Sequence, residues 1–112
     1  MATSKEYKDF ILEQLSLLDD ITCRAMMGEF LLYYQGVLFG GIYDDRLLVK
    51  IVPNNEKYGM EKQLPYEGAK PMYFVEGVDN KELLKEIVTE TCKGLQKIQR
   101  KRMDLNYSID YN

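Results

Sequence analysis

The chain has 112 residues, enough for one domain and too few for two separate cores. It carries 15 basic and 18 acidic side chains, a net charge of −3, with no histidine, no tryptophan and two cysteines. Without histidine, Ser-His-Asp and Cys-His catalytic arrangements and His-liganded metals are excluded, and the acidic balance argues against duplex binding by the whole surface.

Met1 to Asp9 mixes charges of both signs, where a secretory signal needs an uncharged apolar stretch. No window approaches the ~20 apolar residues of a membrane span, so a cytoplasmic protein is expected. Thr3 and Glu6 are spaced as a capping box, and Tyr7, Phe10, Ile11, Leu15 and Leu18 form one apolar stripe. A helix over about residues 4–18 follows, ended by Asp19-Asp20, whose charge opposes the helix dipole.

At Ile21 the period changes to two. Ile21, Cys23, Ala25 and Met27 alternate with Thr22, Arg24 and Met26 in a strand that ends at Gly28. Phe30 to Tyr34 reads as a second strand, Gln35-Gly36 as a two-residue turn, and Val37 to Tyr43 as a third strand. Gly40-Gly41 inside that strand predicts a bulge or a close approach by another group. Asp44-Asp45 forms the next turn and Arg46 to Val52 the fourth strand, closed by Pro53-Asn54-Asn55. Residues 55–62 could form one or two helical turns, Leu64 to Gly68 reads as loop, and Met72 to Glu76 as a short strand. Asp79 to Glu82 repeats the capping-box pattern before a long helix with Leu84, Ile87, Val88, Thr91, Leu95 and Ile98 on its apolar face. Residues 1–103 are read as the domain, and 104–112, which lack helical periodicity, as a C-terminal tail. The order predicts an α+β domain, an antiparallel sheet with the N- and C-terminal helices packed on it.

Few residues suggest chemistry. Cys23 and Cys92 lie too far apart for a CxxC motif or metal spacing and read as small apolar side chains. Gly28, Gly36, Gly40 and Gly41 match neither a dinucleotide fingerprint nor a P-loop and read as hairpin glycines. Asp44 and Asp45, with Glu29 elsewhere in the same meander, could pair as acid and base only across a cleft, whereas Asp44 and Asp45 as neighbours in a tight turn are expected to point apart into water. Arg24 and Lys50 interrupt apolar strands, where charge must be paired or reach solvent. They read as exposed-face residues, or as parts of a polar contact surface. Basic residues from Lys93 to Arg102 could touch phosphate, yet they also complement the end of a helix. Tyrosine is abundant, at nine residues. Tyr33, Tyr34, Tyr43 and Tyr73 fall on predicted strands and form a candidate interaction surface. No cofactor, metal or catalytic group is expected.

The stretch from Arg24 to Lys50 resembles the N-terminal domain of the TfoX/Sxy family, through Arg24, Met26, Gly28, Tyr33, Gly36, Phe39, Asp45, Leu47 and Lys50. Tyr66, Met72 and Tyr73 resemble its weaker second half, so the likeness spans about residues 7–95. The resemblance implies a stand-alone single-domain member with a secretion-chaperone-like two-layer sandwich, ordered helix, strands, helix, strands, helix, and often dimeric. Relatives that also carry a helical C-terminal domain activate competence genes for DNA uptake with a cyclic-AMP-responsive activator. A non-enzymatic regulatory or protein-interaction domain, a homodimer with an unknown protein partner, is therefore expected. Its rival, a small-ligand-binding or enzymatic domain, requires a concave pocket joining Arg24, Lys50 and nearby carboxylates. Direct DNA binding would run through Lys93 to Arg102.

Overall fold

The computed structural model describes residues 2–111, with side chains described through Arg100. Helix α1 (Lys5–Gln14) leads into four sequential strands, β1 (Ile21–Met26), β2 (Glu29–Tyr34), β3 (Val37–Ile42) and β4 (Leu47–Val49). A 3₁₀ segment (Pro53–Tyr58), β5 (Glu61–Gln63), β6 (Met72–Phe74) and helix α2 (Lys81–Tyr111) complete the chain. All neighbouring strands are antiparallel, in the order β1-β2-β3-β4-β6-β5.

Three two-residue turns build the meander. Met27-Gly28, Gln35-Gly36 and Asp44-Asp45 all have positive φ at both positions, the hairpin geometry whose twist matches the flanking strands. The first strand therefore stops one residue before its sequence limit. Met27 belongs to the turn and is 98% exposed, not part of the buried alternation.

One face of the sheet meets both helices. Leu32, Phe39, Ile42, Leu47, Val49, Tyr73 and Val75 pack with Ile11, Leu15 and Leu18 of the α1 region and with Leu84, Ile87, Val88 and Cys92 of α2. Phe39 reaches this core through a bulge, where the β2–β3 register slips between Leu32 and Tyr33. The slip gives β3 an extra residue, so Phe39 turns inward while Leu38 stays on the other face. A side chain at Gly40 would collide with the Leu48 carbonyl oxygen, which accounts for the first glycine.

Several local expectations change. Ser4, not Thr3, caps α1, accepting the Tyr7 N–H at 3.1 Å, and α1 ends at Gln14, short of Leu18. Asn80, not Asp79, accepts the Leu83 N–H at 3.1 Å at the start of α2. Glu61 and Lys62, the end of the stretch read as helical, instead form edge strand β5 with Gln63, against β6. The expected middle helix is a 3₁₀ segment, and α2 runs on to Tyr111 instead of giving way to an irregular tail after residue 103. No Pro or Gly follows Gly94 to stop it.

Candidate interaction surface

The strand register sorts the singled-out residues by face. Arg24, Leu31, Gly41, Leu48 and Phe74 form one row across the sheet, and Thr22, Tyr33 and Leu38 the next, on the face away from the helices. Lys50 follows inward-facing Val49 and falls on the same outer face. On its β4–β6 side this face is closed. A Cβ on Gly41 would sit 2.8 Å from Tyr43 Cε2, because the Tyr43 ring lies over that glycine. Tyr66 packs on Tyr43 with ring centroids 6.3 Å apart, and Leu48 is fully buried. Arg46 holds the covering loop. Its guanidinium donates to Gln63 Oε1 (2.9 Å), the Leu64 carbonyl (3.1 Å) and the Pro65 carbonyl (3.3 Å), and its Nε to the Tyr43 carbonyl (3.1 Å).

The β1–β3 side of the same face stays open. Arg24 and Met26 are exposed there, and Leu31, Tyr33, Leu38 and Lys50 are half-buried. An apolar patch of Leu31, Tyr33 and Leu38 therefore lies between two cations.

The four tyrosines do not make one surface. Tyr33 alone is on the open face. Tyr73 is 7% exposed in the core, Tyr34 packs on that core from the inner face, and Tyr43 is 6% exposed beneath Tyr66. The physical reason is the period of two, which sends Tyr33 and Tyr34 to opposite faces. Burial raises the Tyr43 phenol above its ordinary range, helped by Tyr66 and Glu29.

Family-motif residues at the turns serve a different purpose from the face. The Thr3 N–H donates to Glu29 Oε1 (2.9 Å) and the Gly28 carbonyl (3.0 Å), while Glu29 Oε2 accepts the Asp44 N–H at 2.9 Å. Asp45 Oδ1 accepts the Ser4 N–H at 2.9 Å and the Ser4 hydroxyl at 3.3 Å. Asp45 N–H donates in turn to Thr3 Oγ1 at 3.2 Å. Glu29 and Asp45 thus clamp the chain entering α1 onto two hairpin turns; Asp44 and Asp45 are both exposed as expected, but the Asp45 carboxylate is held by Ser4. Gly28 and Gly36 supply the positive φ of their turns, at +85° and +81°.

Arg24 stands on β1 and Lys50 just past the end of β4, with β2 and β3 between them, at least about 14 Å apart. Neither lines the two cavities described among these residues. The larger, about 300 Å³, lies among Tyr58, Met60, Phe74, Leu83 and Ile87 with Glu61 and Glu76; the smaller, about 200 Å³, includes Tyr34, Thr89, Cys92 and Lys93. Neither of these two cavities joins Arg24 to Lys50.

Both cysteines are free, Cys92 buried and Cys23 half-buried. Burial pushes the Cys92 thiol up to about 11, and burial also raises Cys23. Among the described residues no group of His, Cys, Asp or Glu could hold a metal ion, and no helix is long and apolar enough to cross a membrane. Of the basic run, Lys93 pairs with Glu90 at 3.2 Å and Lys97 and Arg100 are exposed, while the Lys101 and Arg102 side chains lie outside the described residues.

Two positioning residues escape a sequence reading. Arg46 looks like a strand start, and Asn55 looks like a turn residue although it is fully buried. Gly94 left a usable signal, since glycine inside a helix is unfavourable unless something packs on it. A Cβ there would sit 2.6 Å from Val52 Cγ2.

A search of curated proteins finds no match. A family model for the TfoX N-terminal domain matches residues 13–94, well over half of the chain and all six strands. With the helix-backed antiparallel sheet and the hairpin motif both in place, the chain belongs to the TfoX N-terminal domain family.

Proposed function

We propose that this chain is a non-enzymatic regulatory domain of the cytoplasm that works by binding protein, itself as a homodimer. One observation carries the reading. Half of the outer sheet face is left uncovered, with Leu31, Tyr33 and Leu38 between Arg24 and Lys50, although the same chain closes the other half with its own loop. An apolar patch rimmed by polar groups suits a protein partner whose own surface is apolar with an acidic fringe. Any part in regulating competence would then run through that partner, with this domain as the adaptor.

The test is a tagged-chain pull-down from the source cell, run beside the double variant Tyr33→Ser/Leu38→Asp with circular dichroism as the fold control. A partner retained by the wild type and lost from a folded double variant supports the reading; equal retention removes this face from the function. Light scattering checks the second half, and a clean monomer at micromolar concentration refutes the homodimer.

A further inference from the structure

The sheet has two edges, and they are built differently. Edge strand β5 has three residues, Glu61-Lys62-Gln63, charged and followed by Pro65. Such short, charged edges resist pairing with another strand. Edge strand β1 has six residues, Ile-Thr-Cys-Arg-Ala-Met, with one charge, no proline and no bulge in its register with β2. Nothing in its sequence defends it.

Its free backbone groups can be identified. The two-residue turn makes Met26 and Glu29 a doubly bonded pair, which leaves every second pair along the ladder doubly bonded. The bond from the Gln35 N–H to the Asp20 carbonyl, 3.0 Å, continues the same series one step beyond the strand. Even-numbered β1 residues therefore bond to β2. The N–H and C=O groups of Ile21, Cys23 and Ala25 point away from the sheet, and among the described residues none has a backbone partner. The Lys8 ammonium lies over the Phe30 ring of β2, 5.6 Å from its centroid, and Lys8 and Asp9 also act on the Cys23 thiol, so α1 lies above the inner face of β1 and β2 while the in-plane backbone groups of β1 keep no backbone partner among the described residues.

We propose that β1 pairs antiparallel with β1 of a second copy of this chain, centred on Cys23, joining two six-stranded sheets into one. This rests on the homodimer reading given above and says where that dimer is made. A twofold axis through the sheet keeps each face on its own side, so paired residues must have the same parity. Two registers then use most of the strand. Centring on Arg24 opposes two guanidinium groups, which is unfavourable, and joins two doubly bonded pairs, Cys23 with Ala25 and the reverse. Centring on Cys23 joins three, with Cys23 opposite Cys23 and Ile21 opposite Ala25 on either side. It uses every free group of the strand and sets Arg24 beside Thr22. The second copy is the fitting occupant because it brings the same unpaired groups in the complementary order.

Opposed residues of a doubly bonded pair have Cα atoms about 5.5 Å apart, so a short bismaleimide spans two Cys23 thiols. The expected result is a cross-linked dimer on a denaturing gel for the wild type and its loss in Cys23→Ser. Ala25→Pro removes an N–H that β2 does not use, a substitution an edge position tolerates. It is expected to keep its circular dichroism and to halve the light-scattering mass to the 13.1 kDa of one chain. A wild-type dimer that gives no Cys23 cross-link, or that survives Ala25→Pro, overturns the β1 interface and leaves the homodimer standing. A monomeric wild type overturns both. The cross-link decides even if the proline variant fails to fold.

Discussion

Asn55 shows how much one buried amide can hold in a domain of this size. Its Oδ1 accepts the Val52 N–H at 3.2 Å, and its Nδ2 donates to the Lys50 carbonyl at 2.9 Å and to Thr91 Oγ1 at 2.8 Å. The Thr91 hydroxyl donates to the Ile87 carbonyl at 2.7 Å, so it can only accept from Asn55, and the amide orientation follows. One side chain thereby joins the end of β4, the 3₁₀ segment and α2. Asn55→Ala strands a buried N–H and two acceptors, a loss of about 3 kcal/mol given 1–3 kcal/mol per unsatisfied group. Asn55→Asp should fare no better at neutral pH, because a carboxylate cannot donate to Lys50 or Thr91. Urea denaturation of the two variants checks both expectations; a loss below about 1 kcal/mol for Ala would show that the site is wet. The thiols give a second test at this scale. Cys92 is buried with its thiol held at about 11, and Cys23 is half-buried. Cys23 should react with a chromogenic disulfide at pH 8 more slowly than a free thiol, because burial raises it, but well ahead of Cys92, which should react only on unfolding. Two fast thiols would contradict the packing around Cys92.

At the scale of elements, Arg46 joins the β3–β4 hairpin to the loop after β5 through four hydrogen bonds from one guanidinium. Lys cannot reproduce that fork, so both Arg46→Ala and Arg46→Lys should release the loop. Limited trypsin digestion is expected to cut at Lys62 or Lys70 several-fold faster in either variant, with little change in the melting of the sheet. Unchanged cleavage would mean that the Tyr43–Tyr66 contact holds the loop without the arginine. How far such elements could be read from the residues depends on where their determinants lie. The three hairpins were legible because Gly28, Gly36 and Asp45 carry their turn geometry locally, and Gly40-Gly41, read as a bulge or a close approach, mark the approach of the Leu48 carbonyl and the Tyr43 ring next to the bulge at Phe39. Strand β5 was not, because Glu61-Lys62-Gln63 shows no apolar alternation; its partner β6 supplies the pairing from nine or more residues away. The tyrosine surface failed for a related reason. Composition counts aromatic rings, whereas the pleat and the bulge decide which side each one faces, and Tyr43, on the outer face with Gly41, is covered there by Tyr66.

The whole molecule places both helices on one side of the sheet and leaves the other side half open, and the two proposed contacts divide these surfaces without conflict. Pairing through β1 uses backbone groups that point along the sheet, whereas Leu31, Tyr33 and Leu38 project from its outer face. A dimer made at the edge would set the two open faces side by side, with both copies of Arg24 near the axis. Each protomer would then offer its patch as half of a continuous surface, which suits a partner that is itself twofold or elongated. Folding and association become linked in such a molecule. The native dimer is favoured by mass action over unfolded monomers, so its melting temperature must rise with protein concentration. A tenfold increase adds about 1.4 kcal/mol per dimer, about half of that per chain, which for a domain of this size is a shift of about 2–4 °C. The wild type should show that slope between micromolar and hundreds of micromolar in scanning calorimetry. Ala25→Pro should melt at one temperature throughout, and Tyr33→Ser/Leu38→Asp, altered on the face and intact at the edge, should keep the wild-type slope. A flat wild-type response would place the domain among monomers, whereas a slope lost in the face variant would move the dimer contact from the strand edge to the sheet face.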